Sequence, residues 1–407
     1  MSRYPASTSM CAIWFCCLGG LGIYFPYYSL YLNENAGLDA AEVGAVYAVM
    51  PLVGLFAQPF WGLVADRTGS RSRVLALLAL GTALGYAALY LSTGFAALLL
   101  GTALLACFST ALIPACVSTT LALTRDADRH AFGLTRIWGT LGFLALVIVF
   151  PPLLHAWQTM RGITPVSGGP SEPGLEVMFL GAGLMLLIGG AVAQRLPEAG
   201  GLALRAARGD WLQLLRQGPF VRLLGLALLA YLFLQGPMGL FPLLVRAHGG
   251  SLDWVSWMWI PMLLAEIPVI ALLGETVARI GARGLLAVGV IAGGLRWLVC
   301  GLSDDLAWIL AAQLLHGVTV AGLLLGAPLY ADLVVPEQLR STGQAMLAMV
   351  GVSVGGIASY LGAGLLLDRL GADAPFLAGG VGALLLGAAV PLLVPRAARC
   401  PRSSALD

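Results

Sequence analysis

The chain of 407 residues is 59% hydrophobic and only 10% charged, with a mean hydropathy of +0.89 and a formal net charge of +2. A soluble globular protein is about 25% charged. This composition therefore excludes a soluble protein and indicates an integral membrane protein. All 22 basic residues are arginine. Because there is no lysine, the GxxxxGK[ST] phosphate loop of a nucleotide-driven pump is excluded as well.

Twelve apolar segments are long enough to cross a membrane as helices, since one span needs about 20 apolar residues. They cover residues 10–32, 41–65, 73–92, 95–123, 134–156, 175–195, 219–247, 254–275, 283–302, 305–334, 340–366 and 373–395. The first segment lacks a small-residue cleavage site, so we predict a retained helix and not a signal peptide. The cysteine spacing indicates neither a disulfide framework nor a zinc site.

The arginines are distributed unequally between the connections of these segments. If both termini are cytoplasmic, eighteen arginines lie on the inner side and three, Arg161, Arg246 and Arg369, on the outer side. Arg296 is left within a span. Short cytoplasmic loops carry an excess of basic residues in membrane proteins. The distribution therefore predicts twelve spans with both termini in the cytoplasm.

The two halves of the chain contain the same loop motif. GLVADRTGSRSR at 62–73 and GETVARIGAR at 274–283 both match Gly-x4-Arg-x-Gly-x-Arg, at an offset of 212 positions. We therefore predict an all-α membrane protein with two pseudo-symmetric six-helix lobes, 1–195 and 219–407. The basic connection 196–218 is the predicted cytoplasmic linker. Such repeats are common in secondary transporters, whose substrate site lies between them near the membrane midplane.

The first loop resembles the signature loop of the major facilitator superfamily. GIYFPYYSLYL, GLTRIWGTLGF and QLLHGVTVAG resemble its phenylpropionate-permease-like branch, which is related to lactose permease and nucleoside–proton symporters. The resemblance implies the major facilitator fold, a functional monomer in a bacterial inner membrane, and alternating access. It also implies proton-coupled import of a small organic solute, such as a sugar, nucleoside or aromatic acid, with no cofactor.

The resemblance also implies a role for the first loop, in which Gly62, Asp66, Arg67, Gly69 and Arg71 regulate closure of the cytoplasmic face. A carboxylate among guanidinium groups can form charge-assisted hydrogen bonds. Anchoring of the arginines at the inner surface is the alternative. That alternative does not explain the glycines or the aspartate.

Three ionisable residues are predicted to lie deep in the second half: Glu266, Arg296 and His316. Such residues are costly at bilayer depth and are candidates for function. We predict that Glu266 pairs with Arg296, with His316 and Gln313 beside them. Histidine has an ordinary pKa of about 6.5 and can exchange protons near neutral pH. A purely structural ion pair, with Gln313 as packing, is the alternative. Residues 317–320 read GVTV, so the carboxylate that follows this histidine in lactose permease is missing here.

The first half contains no carboxylate within its apolar segments. We predict that Tyr24, Tyr27 and Gln58 line the cavity. Arg136 enters the cavity if the fifth helix begins before residue 134, and otherwise lies at the inner surface. Interfacial aromatic belts are common in membrane proteins. The side chains predicted for such a belt are Tyr31, Trp254, Trp257 and Trp259.

Other functional classes are less consistent with the sequence. HExxH is absent, and the four histidines stand in four different regions, so no enzyme is predicted. The predicted partners are a small-molecule substrate, protons and the lipid bilayer, with no nucleic acid. Two alternatives stay open, a proton-driven efflux antiporter and a non-transporting sensor.

Overall fold

The computed structural model describes residues 4–123, 130–163, 172–196 and 211–396, and within these ranges all regular structure is helical. The α-helices are α1 (Tyr4–Tyr24), α2 (Tyr28–Leu30), α3 (Ala40–Thr68), α4 (Arg71–Leu91), α5 (Phe95–Leu123), α6 (His130–Arg161), α7 (Val177–Ala193), α8 (Trp211–Leu214), α9 (Gly218–Ala247), α10 (Leu252–Ala271), α11 (Leu273–Leu302), α12 (Leu306–Ala312), α13 (His316–Val320), α14 (Ala327–Val334), α15 (Arg340–Leu347), α16 (Gly356–Leu370) and α17 (Ala374–Leu393). Three π-helical stretches are Tyr31–Asn35, Ala321–Gly326 and Ala348–Gly355. Most of the predicted linker 196–218 falls in 197–210, outside the described residues.

Ten helical runs in the described ranges are long and apolar enough to cross a membrane. The apolar helix α7 is shorter, with 17 residues, and α10 has 20 residues. The fifth run is already helical at His130, ahead of its predicted start at residue 134. These helices indicate an integral membrane protein.

The ends of α3 follow from its sequence. Asp39 Oδ1 accepts the Glu42 N–H at 2.7 Å, and the Glu42 carboxylate accepts the Asp39 N–H at 3.2 Å. This is a capping box. At the other end, Gly69 takes a φ of +64°, the left-handed conformation in which glycine commonly ends a helix. The corresponding glycine of the second loop, Gly281, takes a φ of +72° and interrupts α11. Both copies of the loop motif therefore place this glycine at a positive φ.

Contacts between Cα atoms divide the chain into two compact units. The first unit combines Met1–Ala203 with Gly239–Ile260 and Tyr360–Ala372, and the rest of the chain forms the second unit. In the first unit, α1 packs against α6 and α7, and α4 packs against α5 and α7. In the second unit, α11 packs against α17. The first unit thus includes parts of α9, α10 and α16. The predicted division into lobes at 196–218 stays a prediction.

A serine hydroxyl bonds to two backbone groups of α9 within the second unit. The Gly236 N–H donates to Ser359 Oγ at 2.6 Å, and Ser359 Oγ donates to the Leu232 carbonyl at 2.6 Å. In a regular helix Gly236 would donate directly to Leu232. The next residue, Pro237, has no N–H to donate. Insertion of a side chain into the backbone ladder is a recognised cause of helix bending.

Replacing Ser359 by alanine is expected to destabilise the protein by about 1–3 kcal/mol, because a buried N–H and a buried carbonyl lose their shared partner. The measurement is the thermal unfolding midpoint of the purified protein. Thr159→Ala is the matched control, since the exposed Thr159 hydroxyl bonds to the carbonyl of its own helix, that of His155, at 2.8 Å. Equal midpoints for the two variants would contradict the expectation.

Candidate functional site

The second unit contains a buried arginine, Arg296 on α11, which is 2% exposed. Its Nε donates to Gln313 Oε1 at 2.7 Å, and its Nη1 lies 3.0 Å from His316 Nδ1. Its Nη2 lies 3.4 Å from the sulfur of Met238 and 3.5 Å from that of Met262. Groups from α9, α10, α11 and the Gln313–His316 turn therefore converge on one cation.

The local helix geometry explains why Gln313 and His316 reach the same group. A 3₁₀ turn, Gln313–Leu315, separates α12 from α13. Side chains three residues apart are eclipsed in a 3₁₀ helix, so Gln313 and His316 stand one above the other. The Gln313 amide nitrogen donates to the Ile309 carbonyl at 2.6 Å and lies 3.4 Å from Cys300 Sγ. These contacts leave the amide oxygen to face Arg296.

The contact between Arg296 and His316 fixes the protonation of the imidazole. A guanidinium can only donate hydrogen bonds, so His316 Nδ1 is the acceptor. An accepting Nδ1 carries no proton, and the imidazole is then neutral with its proton on Nε2. His316 in this arrangement is therefore a base whose lone pair is directed at a cation.

Sequence reasoning missed the apolar surroundings of Arg296. The guanidinium carbon lies 3.9 Å from the ring centroid of the neighbouring Trp297, within the range of a cation–π contact. Trp297 Nε1 donates to the Leu234 carbonyl at 3.2 Å, which ties this part of α11 to α9. Met238 and Met262 carried no signal in the sequence, because methionine in an apolar helix is ordinary.

Glu266 lies on α10, and its backbone is close to Gly317, the residue that follows His316. A Cβ atom on Gly317 would stand 2.6 Å from the Ala265 carbonyl oxygen and 2.9 Å from the Glu266 backbone nitrogen. Gly317 therefore allows α13 to approach the backbone of α10 at the level of Glu266. The Glu266 side chain is half-buried. Its pairing with Arg296 stays a prediction.

Two tyrosines predicted for the cavity are buried in helix packing of the first unit. The Tyr24 ring lies 4.5 Å from that of Tyr28 and 5.1 Å from that of Tyr86. The Tyr27 hydroxyl lies 2.6 Å from Ser256 Oγ and donates to the Val147 carbonyl at 3.1 Å. The structure thus separates these two side chains into different neighbourhoods.

The interfacial-belt prediction is wrong for two of its four residues. Trp259 is 4% exposed, and its ring packs against Phe25 and Phe143 at 5.5 and 5.4 Å. Tyr31 is also buried and packs edge-on against Phe179 at 4.9 Å. Their neighbours are aromatic side chains of the protein. Periodicity within one helix cannot show such packing between helices.

Arg136 lies within α6, at a point where the helix has already begun. Its guanidinium carbon stands 5.0 Å from the Trp14 ring centroid, and its Nη1 donates to Thr140 Oγ1 at 3.3 Å. Trp14 is itself held by a 2.9 Å hydrogen bond from Nε1 to Thr120 Oγ1. The half-buried Arg136 side chain is therefore directed toward α1.

Gln58 groups with the first loop motif and not with the tyrosines. Gln58, Gly62, Asp66 and Arg71 line one cavity of about 220 Å³ between α3, α4 and α5. Asp66 and Arg67 are exposed, and Arg71 is half-buried with a long 3.5 Å contact from Nη1 to the Ser118 carbonyl. In the described ranges, no group of three His, Cys, Asp or Glu side chains is placed to hold a metal ion.

Comparison with known proteins places this chain among membrane transporters. The sequence model of the MFS_1 like family matches residues 7–378. The maltose permease of Geobacillus stearothermophilus is 29% identical over 358 residues, which cover 86% of this chain and 84% of that protein. A probable 3-phenylpropionic acid transporter of Escherichia coli is 27% identical over 84% of this chain and 89% of its own length.

The solved structures agree on the fold. The crystal structure of the nucleoside transporter NupG superimposes with a TM-score of 0.79 at 16% identity, covering 97% of this chain and 99% of that one. A POT family transporter in complex with 5-aminolevulinic acid gives a TM-score of 0.70 at 11% identity, over 97% and 96% of the two chains. The chain therefore belongs to the MFS_1 like family and is a transporter of the major facilitator type, not an enzyme.

Proposed function

We propose that this transporter is a proton-coupled symporter that imports a small organic solute by alternating access. Two six-helix lobes would rock about a site near the membrane midplane, with both termini in the cytoplasm and a monomer as the working unit. The observation that carries the proposal is the 3.0 Å contact between Arg296 Nη1 and His316 Nδ1. It makes the position of the guanidinium depend on the protonation of the imidazole.

The guanidinium position depends on the imidazole proton because of which nitrogen atoms in the two groups can donate or accept hydrogen bonds. A proton arriving at Nδ1 would remove the lone pair that accepts from Arg296 and would place two cations in contact. Like charges in a low-dielectric setting repel strongly, so Arg296 would have to leave His316. Solute that binds Arg296 in its displaced position would then bind better when the proton is present. Such differential affinity is what coupling requires.

Glu266 would complete the coupling site. Its backbone lies against Gly317, next to His316, and a carboxylate there could accept the Arg296 guanidinium once His316 releases it. A carboxylate in an apolar setting either finds a cation or takes up a proton. Glu266 and His316 would therefore exchange the same arginine as the proton moves. Gln313 would hold Nε of the arginine in both states.

The relatives define the class of solute to test. Their names specify a maltose permease, a probable 3-phenylpropionic acid transporter and a nucleoside transporter. All three solutes are small organic molecules with oxygen acceptors that a guanidinium can bind. In the first half, the contributions of Arg136, Tyr24, Tyr27 and Gln58 to the solute cavity stay predictions, since the structure places these side chains in separate neighbourhoods. The loop residues Gly62, Asp66, Arg67, Gly69 and Arg71 would regulate closure at the cytoplasmic face.

The test is substrate-evoked proton movement in proteoliposomes, with maltose, 3-phenylpropionate and a nucleoside as solutes. Wild-type protein is expected to alkalinise the outside when it imports its solute. Phenylpropionic acid in its neutral form crosses bilayers unaided, so protein-free liposomes supply the baseline. Acidification outside during import would indicate antiport. Uptake with no proton movement would overturn the proton-coupled proposal.

Two substitutions then locate the coupling. His316→Gln keeps an acceptor for Arg296 but cannot carry a proton, and Glu266→Gln removes the carboxylate at nearly constant size. Both variants are expected to retain solute exchange and to lose proton movement to the protein-free baseline. His155→Gln, at an exposed position on α6, is the matched control and should behave as wild type. Undiminished proton movement in both site variants would place the coupling elsewhere.

A further inference from the structure

A second charged cluster lies in the first unit, where Arg246 joins two carboxylates. Arg246 Nε donates to Glu34 Oε1 at 2.7 Å and its Nη2 contacts Glu34 Oε2 at 3.3 Å. Nη2 also donates to Glu172 Oε1 at 3.0 Å. The Glu34 side chain is 5% exposed and that of Glu172 is 17% exposed. Bidentate arginine–carboxylate contacts of this kind are among the strong ones.

The three residues come from separate parts of the chain. Glu34 lies in the π-helical stretch Tyr31–Asn35, Glu172 precedes α7, and Arg246 lies in the last turn of α9. Asn35 Nδ2 donates to the Glu172 carbonyl at 2.9 Å, and Gln158 Nε2 donates to the Pro173 carbonyl at 2.8 Å. The segment that carries Glu172 is thereby fixed to the first half of the sequence. Arg246 is the member contributed by the second half.

A second contact between the two halves of the sequence, between α3 and α16, involves backbone and aromatic rings instead of charged side chains. A Cβ on Gly44 of α3 would meet the Tyr360 carbonyl oxygen at 2.5 Å and the Gly364 Cα at 2.9 Å. Backbone therefore packs directly on backbone between α3 and α16. The Tyr47 and Tyr360 rings are 5.3 Å apart in the same seam. When α3 and α16 separate at this seam, no charged group loses a partner. When the Arg246 cluster separates, charged side chains lose theirs.

The positions of Glu34 and Arg246 also correspond in the repeat. They are 212 residues apart, which is the offset between the two copies of the loop motif. Equivalent positions of two repeats meet only on the axis that relates them. The ion pair would therefore stand on the axis between the two halves, away from the midplane site about which they are proposed to rock. A cavity of about 460 Å³, lined by both residues, adjoins it.

We propose that Glu34, Arg246 and Glu172 form a latch that holds the two halves of the chain together at this end of the helices. In the orientation proposed above, this end faces outward, so the latch stabilises the outward-closed state. It must break each time the transporter opens to the outside. The inference rests on the proposed alternating access for its place in the cycle. The contacts themselves do not depend on proton coupling or on the solute.

The test measures opening directly by the distance between spin labels on Leu91→Cys and Leu370→Cys. These residues are 78% and 71% exposed at the ends of α4 and α16, both in the first unit. Cys11 and Cys107, which are accessible in the described ranges, and Cys400 are first changed to serine. Wild type is expected to show mainly the short distance. Arg246→Gln should raise the ratio of long to short populations at least about tenfold, because it removes charge-assisted bonds that contribute about that factor.

Matched variants separate a latch from general damage. Arg161→Gln removes an exposed arginine that stacks on Trp157 at 4.6 Å and should leave the distances unchanged. Glu34→Arg combined with Arg246→Glu, in a Glu172→Gln background, should restore the short distance because the ion pair is re-formed with its charges exchanged. An unaltered distribution in Arg246→Gln, or no recovery in the exchanged variant, would overturn the latch. A shifted distribution without proton movement would leave the latch standing and remove the proton-coupled function.

Discussion

Arg296→Lys is expected to lower the solute transport rate by about 10–100-fold while leaving the protein folded. Each hydrogen bond to a charged group contributes about 1.5–3 kcal/mol, and lysine cannot contact Gln313 and His316 together in the geometry of the guanidinium fork. Lysine keeps the positive charge, so the free-energy cost of burying a charge at this position changes little. The variant is therefore expected to fold. The measurement is the initial rate of solute uptake at saturating and subsaturating concentrations.

Arg195→Lys is the control for this substitution. Arg195 is exposed after α7, so the same chemical change there should leave uptake within experimental error of wild type. Equilibrium exchange of solute separates binding from coupling. Arg296→Lys should lose exchange as well as uptake, unlike His316→Gln. Retained exchange in Arg296→Lys would assign the arginine to coupling alone and remove it from the solute site.

Gly317→Ala is expected to destabilise the protein by about 1–3 kcal/mol, the usual cost of overpacking. The added methyl group would meet the Ala265 carbonyl oxygen at 2.6 Å and its carbon at 2.7 Å. Backbone atoms cannot rotate away as a side chain does, so α10 and α13 must separate. Their separation would move Glu266 away from His316. We therefore expect a lower unfolding temperature together with weaker proton coupling.

Gly225→Ala tests whether the effect belongs to the helix contact. Gly225 lies in α9, and no atom stands within 4 Å of a Cβ built there. Alanine is favoured over glycine in a helix by about 0.5–1 kcal/mol. The control should therefore be neutral or slightly stabilising, opposite in sign to Gly317→Ala. Destabilisation of the same size at both positions would show that the close approach of α10 and α13 has no special role.

Helix positions were predictable because long apolar runs and their breaks are local properties of the sequence. Gly69 and Gly281 marked two such breaks, and both have a positive φ. The π-helical stretches and the bonds of Ser359 to the α9 backbone were not predictable, because they depend on contacts between helices distant in sequence. The interfacial-belt error for Trp259 has the same cause. A single helix does not show which neighbour covers an aromatic ring.

The candidate site was partly predictable for a related reason. Ionisable side chains are rare in apolar helices, so Arg296 and His316 stood out without any structure. The methionines around Arg296 did not, since their residue type is common there. Arg246 was placed at the outer surface by charge distribution, which takes no account of partners. The sequence contained one indication of its pairing, since Arg246 is 212 residues from Glu34, which is the offset of the repeat. Finding that indication would have required a search for charged residues separated by this offset.

The pairing of Glu34 with Arg246 has a consequence for how such a chain can be assembled. In the proposed two-lobe arrangement, two identical copies of the first half would set a glutamate against a glutamate. Two copies of the second half would set an arginine against an arginine. Like charges at that distance repel, so neither homodimer could hold this end shut. In that arrangement attraction on the axis would exist only between unlike halves, and one continuous chain would supply one of each to every molecule.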